Sequence, residues 1–410
     1  MNKKICILTQ SHLCRNPRVV KESNSLVNAG YDVTILTTFT YADLLEEDLK
    51  LIDKRVKLNG VINMIPGQAS KWYHLKERLR KRIAGEIIAR FGIENVYALG
   101  YDYDRNLKAA LKENADLYIC HQEISTVIGC KLMQKGRKVA FDFEDWYSHD
   151  LLPEANKTRP VKLLEKYEKL ALNKGALCYT TSDSLARALA DFAASPLPKV
   201  LHNVFPLAER DLMDGKYLDR SDLSMPSMHW YSQTIGPGRG LEFLIDSLND
   251  VKTPLQLHLR GNLFGNFKDQ LLELFPSQLG HKIYFHKLVP HKELLSRIAE
   301  HDIGLATEEY TPDSRNLTIT NKILQYLLGG IAVLATDTKG QQEVAETADE
   351  SVFLFRNKDK TSLVNMLNHL IDNKEVLQNA RQKALNISSD YYCWEIQQTR
   401  LVQWINSVLK

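Results

Sequence analysis

The chain has 410 residues, 44% of them apolar, and a net charge of +3 at pH 7. That length and apolar share suit two domains with full-sized cores, and so small a charge argues against bulk nucleic-acid binding. Six cysteines are scattered with no CxxC pair, which points to buried thiols in a reducing cytosol, not to a disulfide framework or a zinc site.

The first lysines precede an apolar run too short for a secretion signal. The longest later run, Tyr326 to Ala335, is about half a membrane span. A cytoplasmic protein is expected, free or resting on a membrane surface. Lys3 to Thr9 reads as a strand, Pro17 to Ala29 as a helix stopped by Gly30, and Tyr31 to Thr37 as a second strand. This βαβ unit implies a parallel sheet. Arg15 and Arg18 fall at the ligand-binding end of that sheet, as solvated helix-start charges or as acceptor contacts. Lys71 to Arg90 carries seven Lys/Arg against two Glu, with Trp72, Leu75, Leu79, Ile83 and Ile87 among them. Two readings stand: a basic amphipathic helix lying on the anionic inner membrane face, or a domain helix with a solvated basic side.

Tyr101-Asp102-Tyr103-Asp104 contains a DxD pattern, but it ends no clear strand, and no metal is assigned to it. Leu117 to Cys120 is a short strand with His121 at its carboxyl end, where contact with substrate is favoured over a purely structural role. The strand Lys138 to Phe141 brings Asp142, Glu144 and Asp145 to a similar end, suited to acceptor hydroxyls in preference to a metal. Strand and helix signals continue to His202, and the charged, proline-bounded stretch from Leu207 to Pro226 reads as a linker.

A second series then begins. Met228 to Ser232 is a strand, Gly236-Pro237-Gly238 turns, and Leu241, Leu244, Ile245 and Leu248 recur at helical spacing. Arg239 therefore stands between a strand's carboxyl end and a helix's amino end, a place that favours anions. Its guanidinium suits a phosphate. Five more strands follow, near Leu255–Arg260, Ile283–His286, Ile303–Thr307, Ala332–Ala335 and Val352–Phe355. In Asn316 to Tyr326, Thr318 and Thr320 are suitable N-caps, and Asn321 and Gln325 share a helix face. Lys322 is a cation at the wrong end for the helix dipole, which suggests an anion between the two. The fold class is α/β, two Rossmann-like doubly wound domains facing a cleft. Residues 1–206 form the first, 207–226 the linker and 227–390 the second; a last helix within 391–410 packs back on the first.

With these segments in place, the chain resembles a GT-B glycosyltransferase, close to family 4 of the retaining enzymes. NPRVVKESNSLVNAGYDVTIL, His121-Gln122-Glu123, FDFEDWYS and TTSDSLARAL followed by HNV resemble the family's acceptor domain. QTIGPGRGLEFLI, TNKILQYLLGGIAVLATDT and GQQEV resemble its donor domain. The resemblance implies transfer of a sugar from a nucleotide-diphosphate donor to a glycan or lipid-linked acceptor, with retention and with no metal or other cofactor. Arg239 matches the family's diphosphate-binding lysine, Gln233 falls where an arginine is usual, and Gln325 where a glutamate holds the ribose. His121 matches a histidine near the donor sugar. Donor contacts are expected at Gln233, Gly236, Arg239, Gly240, Leu288, Glu308, Thr320, Asn321, Lys322 and Gln325, with His121, Arg239 and Lys322 acting in catalysis. The acceptor would meet Arg15, Arg18, Asp142, Glu144 and Asp145. The family's Glu-x7-Glu pair is absent, since Leu317 stands eight before Gln325; Glu308 or Glu309 would have to supply a carboxylate. A nucleotide-sugar epimerase and a non-catalytic binder of nucleotide sugars or of a partner remain as rivals.

Overall fold

A computed structural model describes residues 2–151 and 153–410. The chain forms two compact units, Met1–Leu201 with Gln398–Lys410, and His202–Gln397. The second unit thus begins five residues before the expected linker's leading edge of Leu207. The stretch 207–226 is built into that unit: the amides of Asp219 and Arg220 both donate to Glu300, at 2.7 and 3.1 Å.

Unit 1 is built on seven parallel strands in the order β3-β2-β1-β4-β5-β6-β7. They are β1 (Lys4–Leu8), β2 (Asp32–Phe39), β3 (Lys57–Asn63), β4 (Leu117–His121), β5 (Val139–Phe143), β6 (Leu177–Thr180) and β7 (Lys199–Val200). Near-continuous apolar strands such as KICIL suit a sheet covered on both faces. Helix α1 (Pro17–Asn28) starts at Asn16, whose side chain accepts from the Val19 amide, with Pro17 at the first helical position. Proline fits there because that N–H has no helical acceptor. Helix α2 (Lys71–Phe91) is capped by Ser70 and ends at Gly92 in the left-handed conformation.

The DxD pattern has a local structural use. Asp102 caps the helix Tyr103–Glu113, and Asp104 accepts from Arg80 and Tyr97. The residues after Gln397 complete unit 1: Asn406 accepts from the Tyr31 hydroxyl, Gln398 from Ser25, and the Val408 carbonyl from Lys138.

Unit 2 has six parallel strands in the order β10-β9-β8-β11-β12-β13: β8 (Ser227–Ile235), β9 (Gln256–Leu263), β10 (Lys282–His286), β11 (Ile303–Ala306), β12 (Ala332–Thr336) and β13 (Val352–Phe355). Helix α3 (Asn321–Gly329) is buried along most of its length.

Histidines collect inside this sheet. His229 stacks on His301 at 4.7 Å, His301 lies 4.5 Å from His258, and His258 Nδ1 is 3.0 Å from His286 Nε2. Burial and the neighbouring Arg260, Arg220 and other rings hold His229 and His301 well below the ordinary histidine range, and His258 down to about 3. The unfolded chain, with rings near 6.5, takes protons first. This contribution is therefore complete above pH 6.5 and is lost as pH falls towards about 3. Each ring costs unit 2 up to about 1.4 kcal/mol per pH unit in that window. Between pH 7 and pH 5, amides of β8, β9 and β11 should lose hydrogen-exchange protection after correction for intrinsic rates. Undiminished protection would mean that the rings are not held neutral by the fold.

Candidate functional site

Two constellations form, one in each unit, at carboxyl ends of parallel strands. In unit 2 the loop after β8 is drawn against the end of β11. Thr307 donates its hydroxyl to the Arg239 carbonyl at 2.8 Å, and Arg315 donates to the Gly238 carbonyl at 3.3 Å. Gly240 makes this approach possible. Its φ is +75°, and a Cβ there would lie 2.5 Å from the Thr307 carbonyl oxygen, so any side chain would push the loop away.

Arg239 is half-buried, and among the described residues its guanidinium has no ion-pair or hydrogen-bond partner. Burial lowers its pKa, Arg315 adds to the effect, and Glu308 opposes it. A cation held out of water without a counterion gains most from a dianionic ligand.

Lys322, on the first turn of α3, is different. Its ammonium pairs with Glu308, which also accepts from Thr320 at 3.3 Å, and it lies 5.4 Å over the Trp230 ring. The anion expected between Lys322 and the helix start is thus the Glu308 carboxylate, already in place. Gln325 is 3% exposed and accepts from the Tyr231 hydroxyl. Arg239 and Gly240 thus meet Thr307, the residue before Glu308, and Glu308 joins Thr320 and Lys322, while Gln325 lies one turn along α3 with Tyr231 as its partner. Asn321 is exposed and bonds to Asn203 at 3.2 Å. Gln233 and Leu288 are exposed, and Gly236 packs beside Phe264; among the described residues no hydrogen bond or ion pair joins these three to the residues around Arg239 and Lys322. Glu309 pairs with Lys358 at 3.7 Å. Tyr231, Thr307 and Arg315 were not singled out from the sequence, because nothing in their spacing marks them.

In unit 1, His121 ends β4 with no exposure at all. Its Nδ1 is 2.8 Å from Glu144 and 3.3 Å from Asp142, and its Nε2 is 3.2 Å from Glu22. Arg18 pairs bidentately with Asp142, lies 3.6 Å from Glu22, and donates to the Leu201 carbonyl at 2.8 Å. Tyr179 donates to Glu22 at 2.9 Å, and Asn16 to Glu144 at 2.8 Å. Arg18 and Asp142 are thus 1% exposed and turned towards each other, not towards solvent. Arg15 lies apart, over the Tyr41 ring.

Burial opposes a charged imidazole, but Glu22, Glu144 and Asp142 outweigh it and hold His121 up at about 10. Burial likewise works against ionised Glu22 and Glu144, and His121 beside them keeps both below the usual carboxylate range. Burial pushes Asp142 up to about 8 against the pull of Arg18. Asp145 is raised to about 7 by burial and by Asp150 and Glu144.

Glu22, His121 and Asp142 converge closely enough to hold a cation. The Arg18 guanidinium already sits on both carboxylates and supplies that charge, so the group does not fit a metal. Only Glu144, with 19% of its side chain exposed, carries the cluster to the surface.

Residues 231–373 match the family model described as glycosyl transferases group 1. No curated protein matches the sequence. Among solved structures, sucrose-phosphate synthase from Thermosynechococcus elongatus is similar with a TM-score of 0.73 and 13% identity, over 99% of each chain. A glycosyltransferase from Rickettsia africae gives 0.67 and 13%, covering 100% of this chain and 99% of its own. HepE of Anabaena, solved with UDP-glucose, gives 0.68 and 16%, covering 98% and 99%. At these identities the likeness is one of fold, and the fold is GT-B.

Proposed function

We propose that this chain, GT-B in fold and matched by the group 1 glycosyl transferases across most of its second unit, moves a sugar from a nucleotide-diphosphate donor to a hydroxyl of a glycan or lipid-linked glycan. Retention at the anomeric carbon, independence of metal, a cytoplasmic site of action and a role in cell-surface polysaccharide or glycoconjugate synthesis belong to the same reading. The observation that carries it is Arg239, a half-buried guanidinium at a strand's carboxyl end with no ion-pair or hydrogen-bond partner among the described residues.

As the bond from C1 to the diphosphate oxygen breaks, negative charge grows on the leaving group. A preorganised cation and the free N–H groups opening α3 stabilise that charge more than they stabilise the bound donor. Glu308 fixes Lys322 at the mouth of the same helix. The acceptor oxygen attacks from the side the leaving group departs, and its proton passes to the departing phosphate oxygen. No resident cofactor is needed for this step. In unit 1, Glu144 meets an acceptor hydroxyl. His121 acts through it, as a positioning residue that keeps the carboxylate ionised and fixed in orientation. Arg18 and Asp142 stand behind His121 in place of the acceptor contacts first expected of them. Arg15 and Asp145 remain at the edge.

A non-catalytic binder is the second reading, favoured by Gln325 and Leu317 standing where the family has its carboxylates. Thermal-shift binding of uridine, guanosine, thymidine and adenosine diphosphates, followed by product analysis with the matching sugar donor, separates the two. Uridine diphosphate leads the panel because HepE is seen with UDP-glucose. One base should be selected, since a ligand that binds only the folded chain stabilises it. Released nucleotide and a new glycoside, or slow donor hydrolysis, should follow. Binding with neither product would establish the non-catalytic reading.

A further inference from the structure

Helix α2 has two apolar sides, and its own unit uses only one. The side packed on unit 1 is small: Ala84, Gly85 and Ile88, with Glu77 buried among them. Glu77 is satisfied there by Arg80 at 3.0 Å and the Asp102 amide at 2.8 Å. The opposite side bears the large residues. Trp72 is 74% exposed, Leu75 57%, Leu79 51% and Ile83 48%. Steps of three or four residues put these on one line along the helix. A groove of about 470 Å³ runs beside it, closed on its far side by Asn95 and Tyr97.

Cations border this line on both flanks. Helical spacing sets Lys71, Arg78 and Arg82 along one edge and Lys76 and Arg80 along the other. Arg80 is engaged with Glu77 and Asp104. Among the described residues the other four make no ion pair with a carboxylate. An apolar line this exposed is unusual on a free surface.

We propose that this face docks on an anionic lipid bilayer, with α2 lying in the plane of the membrane surface. The Trp72–Ile83 line enters the boundary between headgroups and acyl chains, and the flanking cations meet lipid phosphates. The charge pattern selects this occupant over a second copy of the chain. A two-fold contact through the line would set cationic rows against cationic rows.

Flotation with vesicles tests this without nucleotide sugar or acceptor, so its outcome is independent of the transferase reading. The chain should float with vesicles of equal phosphatidylglycerol and phosphatidylcholine at least ~10-fold more tightly than with phosphatidylcholine alone. The pair Leu79→Glu and Ile83→Glu, both at half-exposed positions, should abolish flotation and leave the melting temperature unchanged. The pair Arg78→Glu and Arg82→Glu should remove the preference for the anionic lipid, as should high salt. Failure to float on the anionic vesicles, equal binding to both lipids, or wild-type flotation by the Leu79/Ile83 pair would each overturn the proposal. So would a dimer in solution that the same pair dissolves, because the occupant would then be a second copy.

Discussion

Arg239→Ala should lower turnover by about 100-fold or more, the usual cost of removing one preorganised stabiliser of a developing anion. The loss should fall mainly on kcat. The guanidinium meets a fuller charge in the transition state than in the bound donor, so KM moves less. Unit 2 should keep its stability, because no side-chain bond among the described residues is broken. Relief of a half-buried unpaired cation could even raise it. Arg239→Lys should recover part of the rate, since it keeps the charge but not the bidentate fork. Steady-state kinetics with the donor selected by binding, beside a melting curve, checks all three expectations. Near-normal turnover in the alanine variant would remove Arg239 from the mechanism and leave the α3 mouth as the only stabiliser.

Arg18→Ala should cost unit 1 about 3–5 kcal/mol, the range seen when one partner of a buried ion pair is removed. Glu22 and Asp142 would then share the imidazolium of His121 with Glu144, and the Leu201 carbonyl would lose its donor. Lysine should not rescue the loss, because one ammonium cannot span both oxygens of Asp142 and that carbonyl. The deficit should shrink as pH falls, since protonated carboxylates no longer need the missing cation. Urea unfolding of wild type and variant at pH 7 and pH 5 gives both results. A deficit under about 1 kcal/mol, or one that grows in acid, would show that water enters the cluster and solvates it.

Much of this architecture was legible from local signals. β1, α1 and β2 follow from an apolar run, a helix start at Asn16-Pro17 and the stop at Gly30. The Arg239 turn was marked by glycines between strand and helix periodicities. β3 was passed over. Its sequence, KLNGVIN, has polar residues at the positions an apolar alternation would need, and it lies at the sheet's edge, where exposure is tolerated. Its Gly60 carries no propensity signal but is required: a Cβ there would sit 2.1 Å from the Phe39 ring.

The sites were legible as positions and less so as contacts. Lys322 stands out in the sequence as a cation at a helix start, where an anion is expected. The anion proved to be Glu308, brought in across a loop whose path sequence spacing does not encode. His121 was found from the end of its strand, yet its complete burial depends on neighbours from α1 and β5. Glu22 was in view, four residues from Arg18 on one helix face, and that spacing alone could have suggested the pair. For α2 the sequence showed one set of large apolar residues, open to a membrane-facing or a core-facing reading. Which side faced inward was decided by size, since Ala84 and Gly85 let the helix sit close, where Trp72 and Leu79 could not.

The return of Gln398–Lys410 to unit 1 bears on how the protein is made. Synthesis runs from the amino end, and domains ordinarily fold as units while they emerge. Unit 1 cannot finish in that order. Its strands leave the ribosome first, but Tyr31, Ser25 and Lys138 wait for partners at Asn406, Gln398 and Val408 until the whole of unit 2 has been translated. The nascent chain thus carries an incomplete first unit while the second is being made, and the second is the first that can close.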